Sequence, residues 1–116
     1  MADEATEALF EGKPETRAIY ARLMKNLRTV GPFVVEPKKT CLHLVNGSAF
    51  AGVHPRKDSI LLTIRTGKAI KSARVRKVDQ ASKTRFYNDL VLSSPKDVDD
   101  ELIEWLRAGY AFKAKT

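Results

Sequence analysis

The chain has 116 residues, 43% of them apolar and 30% charged, which suits one folded unit with a modest core and excludes a wholly disordered chain. A single cysteine, Cys41, excludes an intrachain disulfide and a cysteine-rich metal centre, and it fits a reducing compartment. The net charge of +7 is concentrated in one place: residues 65–85 hold eight basic side chains against Asp79 alone, an excess equal to that of the whole chain.

Residues 1–12 read as a loose or short helical lead-in ending at Leu9-Phe10, before Gly12. This acidic start lacks the basic-then-apolar pattern of a secretion signal. Runs such as Ile60-Leu61-Leu62 are far too short to span a bilayer, so a cytoplasmic protein without a membrane partner is expected. Pro14 suits the first turn of a helix whose apolar positions are Ile19, Leu23, Leu27 and Val30, stopped by Gly31-Pro32. Strands follow over Phe33–Glu36, Thr40–Val45, Ser48–His54 and Ser59–Arg65, with Asn46-Gly47 as a two-residue hairpin turn. Residues 66–85 lack clear periodicity and are long for a connection; they hide a strand over Ala73–Val78 or form a flap. Phe86–Leu92 is a fifth strand. Ser94-Pro95 opens the last helix, with Ser94 as N-cap, an apolar stripe of Val98, Leu102, Trp105 and Leu106, acids crowding its first turns, and Lys113 and Lys115 near its end. The order predicts an α+β fold of two layers, with an antiparallel sheet of about five strands and both terminal helices on one face.

The turn also predicts a register. A two-residue loop pairs Val45 with Ser48, Leu44 with Ala49, His43 with Phe50 and Leu42 with Ala51. Leu42, Leu44, Ala49, Ala51, Val53, Ile60, Leu62 and Ile64 then face the helices. Lys39, Cys41, His43, Phe50, His54 and Arg65 share the opposite, open face.

The phrases LFEGKPETRAIYARL, EPKKTCLHLV, AFAGVHPRKDSILLTIR and IKSARVRKVDQASKTRF resemble the bacterial domain-of-unknown-function family 5655, from about Leu9 to Tyr110. The resemblance implies a small α+β module and brings no catalytic residues.

Arg65, Arg74, Arg76, Lys77 and their basic neighbours would attract phosphates through counterion release, and Phe50 and His43 would offer stacking surfaces to a single strand. The bland alternative is a solvated basic loop. Arg56 and Lys57 form a basic turn beside His54, and Lys39 lies opposite His54 in the expected register, so a small anion is a second candidate ligand. A polar turn kept for solubility explains the same residues. The two histidines sit about 13 Å apart by strand rise, too far to share a metal, and no cofactor motif occurs. Cys41 and His54 are the weak candidates for a catalytic pair; a lone strand cysteine more often packs as a small apolar residue. The expected function is non-enzymatic binding of an anionic partner, nucleic acid foremost. A protein-interaction or homodimerisation domain is the alternative, and a thiol enzyme is less favoured.

Overall fold

The computed structural model describes residues 4–112, so Lys113 and Lys115 lie outside the described residues. The first helix, α1 (Glu4–Leu9), delivers Phe10 into the core, where its ring lies 4.5 Å from that of Tyr20. Gly12, at φ +72°, turns the chain into α2 (Pro14–Leu27). Pro14 occupies the first turn, where a missing N–H costs nothing, and Ile19, Leu23 and Leu27 form the buried stripe. The helix stops at Leu27, ahead of the expected Gly31-Pro32. Thr29 donates its N–H and hydroxyl to the Asn26 carbonyl, and Val30 packs against the core from the following turn.

Six strands follow: β1 (Val34–Pro37), β2 (Leu42–Asn46), β3 (Ser48–Pro55), β4 (Ile60–Thr66), β5 (Val75–Ser82) and β6 (Arg85–Leu92). They form one antiparallel sheet in the order β1-β2-β3-β4-β6-β5. The sheet closes on α3 (Asp100–Ala111), and the fold is α+β with helices on the N- and C-terminal sides. Leu42, Leu44, Val53, Ile60, Leu62, Ile64, Leu90 and Leu92 are fully buried beneath the helices. Their burial reflects the alternation read from the sequence.

The sixth strand is β5. It lies in the basic connection, overlaps the Ala73–Val78 segment, and pairs with β6 through a Lys83-Thr84 turn. The connection therefore extends the sheet at its edge. Asn88, fully buried, fixes the preceding loop: its amide donates to the Ile64 carbonyl and the Thr66 hydroxyl, and its carbonyl accepts from the Ile70 N–H. Arg74 fixes the entry to β5. It donates to the carboxylates of Asp99 and Glu101 and to the Asp97 carbonyl, with its guanidinium 5.5 Å from the Trp105 ring centre.

The last helix begins later than expected. Ser94 caps a single 3-10 turn (Pro95–Asp97), with Asp97 completing a reciprocal capping box, and Asp99 caps α3 by accepting from the Leu102 N–H. Gly109 brings α3 against the sheet. A Cβ there would lie 2.7 Å from the Arg65 carbonyl oxygen and 3.5 Å from that of Phe50.

The β2–β3 hairpin departs from the predicted register. Asn46 faces Ser48 around Gly47, at φ +77°, and Val45 faces Ala49. Leu44 then faces Ala51, which leaves Phe50 as an extra residue, a β-bulge. Phe50 is 1% exposed and packs edge-on against Phe33 and Tyr110 in the core. Its expected place on the open face is thus corrected, and Ala49 moves off the core face. Burying a phenyl ring outweighs keeping the hairpin regular: full burial of such a side chain contributes about 1.5–3 kcal/mol.

Candidate functional site

Beyond the bulge, one row of residues crosses the helix-free face. His43 faces Gly52, Gly52 faces Thr63, Thr63 faces Asp89, and Asp89 faces Lys77. A second row runs from Arg65 through Tyr87 to Asp79. Gly52 leaves a gap in the first row, since a Cβ there would occupy space 3.5 Å from His54 Nε2 and 3.9 Å from Thr63 Cβ. The resulting depression has a volume of about 210 Å³ and is walled by His43, His54, Thr63, Arg65 and Tyr87.

Its two ends differ in charge. At one end the Thr63 hydroxyl donates to Asp89 Oδ1 at 2.7 Å. Burial lowers the pKa of His54; the Asp89 carboxylate opposes that shift, and His43 and Arg56 reinforce it. The imidazole therefore favours its neutral form.

At the other end lies Arg65, only 5% exposed. Its two terminal nitrogens donate to the Ser48 hydroxyl and the Phe112 carbonyl, and its guanidinium stands 5.3 Å from the Phe112 ring centre. Its Nε is buried and, among the described residues, has no acceptor. Arg85, on the same side of β6 as Tyr87, also has a buried Nε without an acceptor. Burial lowers the Arg65 pKa; nearby Tyr87 raises it, and the Arg85 charge lowers it further. No carboxylate among the described residues forms an ion pair with either arginine.

Comparison with known protein families matches residues 6–113 to the family described as a domain of unknown function, DUF5655. The chain belongs to the DUF5655 family. No curated protein and no solved structure matches it.

The DUF5655 domain gathers His43, Phe50, His54 and Arg65 of the sequence-predicted set around the depression, although Phe50 is almost wholly buried and its ring packs in the core. It does not gather the rest. Arg74 is held by the acids at the start of α3. Lys39 is exposed in the β1–β2 turn; Leu42 faces Val53, so Cys41 rather than Lys39 falls level with His54. Cys41 is buried, and its thiol makes no hydrogen bond among the described residues. Arg56 and Lys57 are exposed in the β3–β4 turn, and Arg76 and Lys77 are exposed along edge strand β5, where Lys77 lies 3.6 Å from Asp79. The bulge brings His43 opposite Gly52 instead of Phe50, so His54 is offset by two residues, roughly 7 Å, in place of the expected 13 Å. Even so, the described residues contain no three-group metal cluster.

Sequence reasoning missed Gly52, Tyr87 and Asp89, and it did not bring Thr63 of the open face and Arg85 of the basic segment next to them. All five lay on or beside predicted strands. Their convergence depends on β6 pairing directly with β4, which leaves β5 outside, a non-sequential order with no local signature.

Proposed function

We propose that this DUF5655 domain is a non-enzymatic binding module, a single folding unit throughout, for an anionic partner that docks on the helix-free face of the sheet, with nucleic acid the leading candidate. One observation carries the reading: Arg65 is buried at the wall of an open depression with an Nε–H that lacks an acceptor among the described residues. A buried donor left unmatched costs about 1–3 kcal/mol, and an anionic ligand would relieve that cost. Arg76 and Lys77 stand exposed on the edge strand β5, and Lys83 in the turn that follows it, where they would contribute sequence-independent attraction to phosphates. Tyr87 takes over, on the open face, the aromatic role first given to Phe50. No described helix is long and apolar enough to cross a membrane. A cytoplasmic, bacterial setting belongs to the same proposal, supported by the free Cys41 and the family resemblance.

The test is fluorescence anisotropy with a labelled single-stranded oligonucleotide over a salt series. Binding at low salt that weakens as log[salt] rises, at about 0.7 per phosphate neutralised, is expected. Gly52→Val, which fills the depression and leaves the charge unchanged, should weaken it further. No anisotropy change at low salt would end the nucleic-acid reading.

The exposed Val34 and Val78 on the two edge strands favour one rival, pairing of two copies. Light scattering that gives twice the chain mass, rising with concentration, would favour that reading.

A further inference from the structure

The depression is polarised, and the polarity suggests what fits it. Arg65 walls one end, and Arg85, two residues before Tyr87 on β6, stands just beyond that wall; each has a buried Nε–H with no acceptor among the described residues. Arg85 makes no side-chain hydrogen bond within the described chain, so its charge has no structural use that the fold reveals. The Arg85 charge acts on Arg65, and two like charges within reach of each other without a carboxylate are costly unless an anion accompanies them. At the other end, Asp89 holds the Thr63 hydroxyl, with the His54 imidazole nearby.

The two ends are two residues apart along β4 and β6, a spacing of roughly 7 Å. An anion is attracted to the arginine end and repelled from the Asp89 end. A hydroxyl group, by contrast, suits Asp89, whose carboxylate is an acceptor only. The ligand should therefore carry strong negative charge at one end and hydroxyls at the other. A phosphate monoester carries about −1.5 to −2 charges at neutral pH, enough to match both guanidinium groups where a single carboxylate would match one. A depression of about 210 Å³ is small, the size for one such unit and not for a run of nucleotides.

From this geometry we infer that the helix-free face holds a sugar-phosphate subsite: a phosphate monoester on Arg65 and Arg85, with the sugar hydroxyls toward Asp89 and the histidines. The inference rests on the anion-binding reading and narrows it. The sugar phosphate has two sources, the phosphorylated 5′ end of a nucleic acid or a free phosphorylated pentose.

The test uses NMR of the whole chain labelled with nitrogen-15, observing the arginine Nε–H signals. Addition of ribose 5-phosphate should shift the Arg65 and Arg85 signals and leave that of Arg76, exposed on the edge strand, nearly unmoved. Unphosphorylated ribose should shift neither. Arg85→Gln, which breaks no hydrogen bond within the described fold, should weaken ribose 5-phosphate binding about tenfold or more. Asp89→Asn should reduce the preference for ribose 5-phosphate over inorganic phosphate.

Unmoved Arg65 and Arg85 signals, or an Arg85→Gln variant that binds as tightly as the parent, would overturn the subsite. A paired experiment separates the sources. An oligonucleotide that binds only with its 5′-phosphate identifies a nucleic-acid end. Ribose 5-phosphate that seats on both arginines while no oligonucleotide binds identifies a free metabolite; it keeps the subsite and ends the nucleic-acid reading. An oligonucleotide that binds equally with or without its 5′-phosphate, leaving both arginine signals in place, keeps the nucleic-acid reading and overturns the subsite.

Discussion

Gly109 and His54 show how much depends on single side chains. At Gly109 the absent Cβ lets α3 lie against the backbone of β3 and β4. Gly109→Ala gains helix propensity but forces that backbone apart. A net loss of about 1–3 kcal/mol is expected, measured by urea denaturation. A gain in stability would mean that the helix can shift freely. His54 gives a pH-dependent expectation. Its folded pKa is lowered below the ordinary 6.5, chiefly by burial. Above the ordinary value both folded and unfolded chains carry a neutral imidazole and the residue has no effect. As pH falls through 6.5 the unfolded chain takes up the proton first, so stability declines toward acid until the folded pKa is also passed. His54→Asn should flatten that part of the melting temperature against pH, while leaving the carboxylate-driven loss at lower pH in place. Neither residue's role could be read from the sequence. The pattern of apolar residues around Gly109 does not mark it as a point of close approach, and the surroundings of His54 depend on a bulge that alternation alone does not reveal.

Among the elements, β5 is the one whose legibility was poorest. Strand β2 and the first part of β4 alternate buried and half-buried residues because one face of each is buried, and that pattern was visible, whereas β3 buries four residues in a row at its bulge. β5 is exposed along nearly its whole length, so neither face imposes a pattern, and only its partner β6 makes it a strand. Its anchorage is therefore concentrated at its entry. Arg74 links it to three acidic residues around the start of α3 and to Trp105, and this explains why an arginine expected to meet a ligand is already engaged. The Arg74 pKa is raised: burial opposes its charge, but hydrogen bonds from its guanidinium to Asp99 and Glu101 outweigh that cost. Arg74→Ala should lower stability by roughly 1–2 kcal/mol and speed amide hydrogen exchange in β5 ahead of β2 to β4. Uniform acceleration across the sheet would contradict a local anchor. The helices were more legible than β5. Their apolar stripes are long enough to register, and the misplacements fall at ends, where Asn26-Thr29 and Ser94-Asp97 turns compete with helix.

At the scale of the whole molecule, helices cover one face of the sheet and leave the other face and both edges open. The charge distribution follows that division. The acids of the last segment serve helix starts, whereas the basic excess of residues 65–85 falls on the outer strand and beside the depression. An open antiparallel edge is a template for further strands, and charged side chains on β5 oppose such growth. Replacing Arg76 and Lys77 together by valine should produce concentration-dependent aggregates in light scattering at salt levels where the parent stays monodisperse. Unchanged scattering would show that the twist of the sheet is sufficient protection. The fold class, the core face and the basic segment could all be read from residue order, since each follows from local periodicity or composition. The site could be read only in part, because His43, His54 and Arg65 were on the right face but their partners come from a strand more than twenty residues away.

The extra residue in β3 has one more consequence. If Phe50 were removed, Val45–Ala49 and Leu44–Ala51 would become consecutive rungs, and His43 would still meet Gly52. The bulge thus works as slack between the hairpin tip and the inner sheet. Turns of differing length could be fitted at Gly47 without moving either histidine, and the core aromatic would be the part that is lost.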